Sequence, residues 1–188
     1  TEVDTLSLHD ALPILTTSLF SQSQDTHIKD YFNSLDNKTI LLEIFENQSV
    51  FNAKISLNDP KIYFETIEVD STVSLFENNV ITSYDLSKKN IIIENSEKNI
   101  IDFFSYKNLE NASLIKIEIE NENSIYYYNF NNNILLISFN NSQSMVKEIS
   151  LFQAENSIFQ CKIVDINKYQ NPLKFLNIDD SWTTIDWR

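Results

Sequence analysis

Glycine is absent from the 188 residues. No loop can therefore wrap its backbone closely around a phosphate in the usual glycine-rich way, and left-handed turn positions pass to asparagine, the next residue able to take positive φ. Arginine occurs once, as the terminal Arg188, and the net charge is −13. Such a balance excludes a nucleic-acid binder, which needs a basic patch to neutralise phosphates, and disfavours resting on an anionic membrane surface. No apolar run is long enough to span a bilayer. The only cysteine, Cys161, stands in the alternating stretch IFQCKIVDI. A lone thiol could pair with another chain, but here it reads as a small, packed strand residue.

The chain also lacks the constellations of catalysis. His27 stands alone on the polar side of a helical stretch and has no partner for acid–base work. Glu118, Glu120 and Glu122 alternate along a strand edge and read as a solvated face, and Asp179-Asp180 reads as a turn. Metal-ligand spacing is missing, so neither a metal nor any other cofactor is expected. Tyr126-Tyr127-Tyr128 could stack bases, but in so acidic a chain strand packing is the better reading. The protein is expected not to be an enzyme.

The N-terminal region divides into two parts. Thr5 to Ile14, TLSLHDALPI, is the in-frame translation of ACTCTTTCCCTACACGACGCTCTTCCGATC, a common sequencing adapter. Residues 1–14 are read as an assembly artefact, which strips His9 and Asp10 of any function. Setting Glu2, Asp4 and Asp10 aside takes the net charge from −13 to −10. Residues 15–23, LTTSLFSQS, read either as the tail of a secretory signal peptide, with Ser21 and Ser23 in small-x-small spacing, or as a polar leader. The signal-peptide reading is preferred and expects an exported mature chain. Residues 24–188 then form one domain, long enough to bury a substantial core. Abundant Asn, Ile, Lys and Tyr also point to an AT-rich genome.

What is present is a succession of short strands. The chain is organised around Val50 to Glu94, where Phe51, Ala53, Ile55 and Leu57 alternate with polar residues and Asn58-Asp59-Pro60-Lys61 turns into IYF. Val73 to Phe76, Glu77-Asn78-Asn79 and Val80 to Tyr84 read as a tight hairpin, followed by Ile91-Ile92-Ile93. Ahead of this stretch, Asp25 or Thr26 caps a helix through Leu35 with Ile28, Tyr31, Phe32 and Leu35 on one stripe, and Thr39 to Glu46 forms a strand. After it, Asn95-Ser96-Glu97 opens a second helical stretch to about Asn108, rich in Ile and Phe, which needs an apolar surface to lie on. A second meander runs through Leu114 to Glu120, IYYYNF, ILLISF, MVKEISLF, SIFQCKIVDI and LKFLNI. Hairpin-sized connections predict antiparallel pairing throughout and a large curved sheet with a concave apolar face.

The order of elements resembles that of periplasmic outer-membrane lipoprotein carriers, the LolA-like family. KISLNDPKIYF is similar to that family's strand, Arg-Pro turn and aromatic strand. VSLFENNVITSYDLSKKNIII resembles its next hairpin, and MVKEISLFQAENSIFQCKIVDINKYQNPLKFLNI its closing strands with an Asn-x-Pro loop. The likeness runs from Asp25 to Ile178. It implies an α+β fold, an incomplete, half-open antiparallel β-barrel covered by short α-helices. The family's arginine before the loop proline, which holds the lid helices over the cavity, falls at Asp59 here, and Lys61 is the only nearby cation. A lysine is a poor copy of a planar guanidinium fork. The family's turn glycine is replaced by Asn78-Asn79, and its cavity tryptophans have no counterpart, Tyr63 and Phe64 being the closest aromatics.

The resemblance implies a periplasmic carrier, a monomer, that binds the acyl chains of triacylated lipoproteins. Its partners would be an inner-membrane lipoprotein-releasing ABC transporter and an outer-membrane acceptor. Phe51, Ile55, Leu57, Tyr63 and Phe64 are the first candidates for the cavity lining, followed by Leu75, Ile81, Ile115 and Ile117, with Phe103 and Phe104 on the lid. Two rival classes remain open at this point: a small-ligand or lipid-binding barrel without a sorting role, and an envelope structural module whose hollow is filled by its own side chains.

Overall fold

The computed structural model describes residues 26–46, 49–67, 72–96, 104, 109, 112–130, 132–154 and 156–188. Residues 1–14 and 15–23, and with them the adapter and signal-peptide readings, lie outside. A helix, α1 (residues 26–33), leads through a turn into β1 (Lys38–Glu46), β2 (Ser49–Asn58), β3 (Lys61–Ile67), β4 (Thr72–Glu77), β5 (Val80–Asp85) and β6 (Asn90–Asn95). The second half comprises β7 (Ser113–Glu120), β8 (Asn123–Phe130), β9 (Asn133–Asn140), β10 (Met145–Gln153), β11 (Asn156–Lys168) and β12 (Thr183–Asp186). No helix among the described residues is long and apolar enough to cross a membrane.

All twelve strands form one sheet in the order β12-β6-β5-β4-β3-β2-β1-β11-β10-β9-β8-β7. Two antiparallel meanders, β1–β6 and β7–β11, meet where β1 pairs with β11. The sheet does not close on itself, since β12 and β7 stand at opposite edges. Turns carry the asparagines expected of a chain without glycine: Asn37, Asn78, Asn79, Asn121 and Asn132 all have positive φ, joined by Lys89, Ser144 and Ala154.

Curvature comes from interruptions that period-two reading does not reveal. Ile115, Lys147, Ile158 and Val164 are each skipped in the pairing of their strand with a neighbour. An extra residue of this kind bends the strand and increases its twist. It also explains why Ile115, Ile158 and Val164 are among the large apolar residues left exposed.

The inner face is defined by the core. Ile40, Leu42 and Ile44 of β1, Ala53, Ile55 and Leu57 of β2, and the alternate residues of β8–β11 bury one cluster with Ile28, Tyr31, Phe32 and Leu35. The helix stripe therefore does what its spacing predicts. Beyond residue 33 the chain turns, with the Ser34 amide donating to the Asp30 carbonyl at 3.0 Å and Asn37 in the left-handed region at φ 57°. Phe104 and Leu109, from the second helical stretch, are buried in the same cluster. Asn95, expected to open that stretch, instead ends β6. Cys161 is buried and free, as its strand position predicts, and burial pushes its thiol up to about 12.

Two expectations about the C-terminal region are corrected. Residues 173–178 are not a strand: Pro172–Phe175 is a 3-10 helix, capped by the Asn171 side chain, because proline and the Asn cap favour a tight turn over a ladder. Nor is pairing antiparallel throughout, since β12 lies parallel to β6, Ile185 beside Ile92. The segment before β12 reaches it across the outer face. There the Gln170 amide donates to Thr39 Oγ1 at 2.9 Å, and Thr39 Oγ1 and Ser56 Oγ lie 2.9 Å apart.

Candidate functional site

Residues directly opposite on paired strands share a face, so the register traces the inner surface outward from the core. One row runs Leu57, Ile62, Phe76, Ile81 and Glu94. The next runs Ile40, Ile55, Phe64, Ser74, Ser83, Ile92 and Ile185. A third runs Ala53 and Thr66, then Thr72, Asp85 and Asn90. In β1, β2 and β8–β11 the hollow is filled by α1, Phe104 and Leu109. Over β3–β6 it is not filled to the same degree: Ile62, Phe64, Phe76, Ile81 and Ile92 are only half-buried, and Phe76, Ile81 and Ile92 lie outside the core cluster.

Of the candidate lining residues, the register brings Phe51, Ile55, Leu57, Phe64 and Ile81 together on this face. Tyr63 and Leu75 are a correction. They pair with each other on the outer face, Tyr63 also with Ser56 and Leu75 also with Thr82, and Tyr63 is buried and interacts with Tyr169. Ile117 pairs with Tyr126 and points inward, whereas Ile115 is the bulged residue of an edge strand and is exposed. Phe104 is buried in the core, and Phe103 lies outside the described residues. Sequence reasoning misses Ile62, Phe76 and Ile92. Ile62 and Phe76 lie beside outward-facing apolar or charged neighbours, and Ile92 sits in an Ile91-Ile92-Ile93 run whose faces sequence alone cannot assign.

The latch position is rearranged. Lys61 faces outward and pairs with Glu77 at 3.8 Å, so it does not replace the family's arginine. Instead the Asp59 amide donates to Asp36 Oδ1 at 3.1 Å, tying the turn after α1 to the β2–β3 turn. Tyr31, on the helix stripe, packs edge-on against Phe139 with ring centroids 6.0 Å apart. Its hydroxyl is buried without a hydrogen bond. Burial pushes that group up to about 12, against a smaller opposing pull from the Val146 backbone, whose geometry falls short of a hydrogen bond.

His27 is exposed, and no cluster of three or more metal-ligating side chains occurs among the described residues. Glu118 accepts from Lys116 Nζ and Tyr127 Oη, both at 2.6 Å, which holds its carboxyl below the usual range on the outer face. Tyr126 and Tyr128 are buried strand residues. The inner face of β3–β6 is a strip of apolar residues, Ile62, Phe64, Phe76, Ile81 and Ile92, set among polar ones, with Ser74 and Ser83 within it and Glu94, Thr66, Thr72, Asp85 and Asn90 at its borders.

Fold and hollow together define a class: an open, largely antiparallel sheet packed on one described helix, consistent with the architecture implied by the LolA-like resemblance though with one described helix where several were expected. No protein-family model matches the chain, and no curated protein matches it. Among solved structures, an uncharacterized conserved protein from Thermus thermophilus is similar at a TM-score of 0.57 and 6% identity, covering 87% of this chain and 99% of that one. That likeness shows the fold alone. MucB in complex with MucA(peri) gives a TM-score of 0.41 at 7% identity over 75% of this chain and 55% of that one, too weak to carry an argument.

Proposed function

We propose that the protein is a carrier for the acyl chains of lipoproteins, exported to a Gram-negative-type periplasm. It takes triacylated cargo from an inner-membrane releasing ABC transporter and delivers it toward the outer membrane, where an acceptor protein receives it. It works as a monomer by binding alone, without catalysis or cofactor. The observation that supports this best is the half-buried apolar strip Ile62, Phe64, Phe76, Ile81 and Ile92 on the inner face, which starts against the core at Ile62 and Phe64 and runs beyond it at Phe76, Ile81 and Ile92. Exposing an acyl chain to water costs ~0.8 kcal/mol per CH₂, so such a surface makes the crossing feasible. The acidic exterior discourages adsorption to anionic lipid in transit. Lipoprotein sorting itself is carried over from the family resemblance.

The test is to purify the full chain from an envelope extract and analyse the bound fraction by mass spectrometry. Co-purified triacylated lipoproteins are the expected result; a lipid-free protein that also fails to enhance a hydrophobic dye would sink the reading. Ile81→Asp places a charge on the hollow and should reduce dye binding at least tenfold, because an unpaired buried carboxylate costs several kcal/mol.

A second reading has its own support. The stripe Ile28, Tyr31, Phe32 and Leu35 already occupies the hollow over β1, β2 and β8–β11. An envelope module with a self-filled core would have this feature. It would bind neither dye nor lipid, before or after α1 is loosened.

A further inference from the structure

The inner face of β3–β6 changes character from one end to the other. Its first row is apolar as far as Ile81, its second places Ser74 and Ser83 between Phe64 and Ile92, and its third is polar, with Thr66, Thr72, Asp85 and Asn90. The two serine hydroxyls lie 3.0 Å apart, and among the described residues neither has another hydrogen bond. One donates to the other, which leaves the second hydroxyl's proton and lone pairs unspent.

The outer face shows what such a pair does when it is covered. Thr39 Oγ1 and Ser56 Oγ form the same cross-strand arrangement at 2.9 Å, and Thr39 also accepts the amide of Gln170 from the covering segment. Ser74–Ser83 is its inner-face counterpart, and among the described residues no backbone amide bonds to it as Gln170 does to Thr39.

We infer that the Ser74–Ser83 pair is the handle for the carbonyl of an acyl ester or amide, with the hydrocarbon tail lying over Phe64, Phe76 and Ile81 and the polar head toward Thr66, Thr72 and Asn90. This rests on the carrier reading and adds the ligand's linkage chemistry to it. The physical reason is that a carbonyl drawn into an apolar hollow loses its water and needs a donor. Sites for such ligands set a few polar groups among apolar walls. The polar third row gives the head group an exit that does not bury it.

The probes are a monoacylglycerol and the alkylglycerol ether of the same chain length, which share head and tail and differ by the carbonyl. The full wild-type chain should bind the ester about tenfold more tightly, the worth of one hydrogen bond. Ser74→Ala/Ser83→Ala should abolish that preference, so that ester and ether bind alike. Ser74→Thr/Ser83→Thr, which keeps both hydroxyls, should retain it and controls for disturbance of the strands. Equal binding of the two probes by wild type, or a preference that survives in the double alanine variant, overturns the handle while leaving the carrier reading in place. Failure of wild type to bind either probe overturns both.

Discussion

At the scale of single residues, the tension in this molecule sits at Tyr31. Its ring fills the hollow against Phe32 and Phe139, while its buried hydroxyl makes no hydrogen bond of good geometry among the described residues. A buried donor left unmet costs ~1–3 kcal/mol. Tyr31→Phe keeps the ring and removes the cost, so it should raise unfolding stability by about 1 kcal/mol, read from the urea midpoint at unchanged slope. A drop in stability would mean that the hydroxyl has a partner after all. Individual residues also show how the absence of glycine is managed. Asparagine takes most of the left-handed turns, and the hairpin turn at Asn78 and Asn79 puts two in succession, the requirement of a two-residue turn matched to strand twist.

At the scale of elements, α1 is the part that would have to yield to a ligand reaching the filled half of the hollow. Its following turn is tied to the β2–β3 turn by the Asp59 amide on the Asp36 carboxylate and to the chain after β11 by the Tyr169 amide on the Asn37 carbonyl, and the first of these is an exposed hydrogen bond where a guanidinium fork would have been stronger. Asp36→Ala should therefore speed the uptake of a hydrophobic dye severalfold while changing stability by less than ~1 kcal/mol. Unchanged uptake would show that this tie does not restrain the helix. The helix itself was legible, since Ile28, Tyr31, Phe32 and Leu35 recur at helical spacing and all are buried. So were most strands, because period-two alternation is local information. Which face of β3–β6 turns inward was not legible. Tyr63 and Phe64, Leu75 and Phe76, and Ile91 through Ile93 put apolar residues on both faces, and only pairing back to β2 decides between them. β12 escaped for a similar reason: Thr183–Asp186 is short and owes its extended form to β6, some ninety residues earlier.

At the scale of the whole molecule, buried acids set the alkaline limit. The Cys161 thiol is pushed from 9.0 to about 12, and the Tyr31 hydroxyl from 10.0 to about 12, both chiefly by burial. Folding thus favours their protonated forms, and the unfolded chain releases those protons first. Stability from these groups is complete below about pH 9 and declines as the pH rises toward 12. Urea midpoints that stay level from pH 8 to 11.5 would contradict this. The strand order carries a separate consequence. β1–β6 lie together, and the second half of the chain flanks them on both sides, β11 beside β1 and β12 beside β6. Like a hand closed around a book, the later portion grips the earlier one by both covers. A gene cut between Ser96 and Ala112 should accordingly yield two polypeptides that find each other and co-purify without a peptide link, whereas the same cut made with β12 deleted should leave a looser, one-sided union.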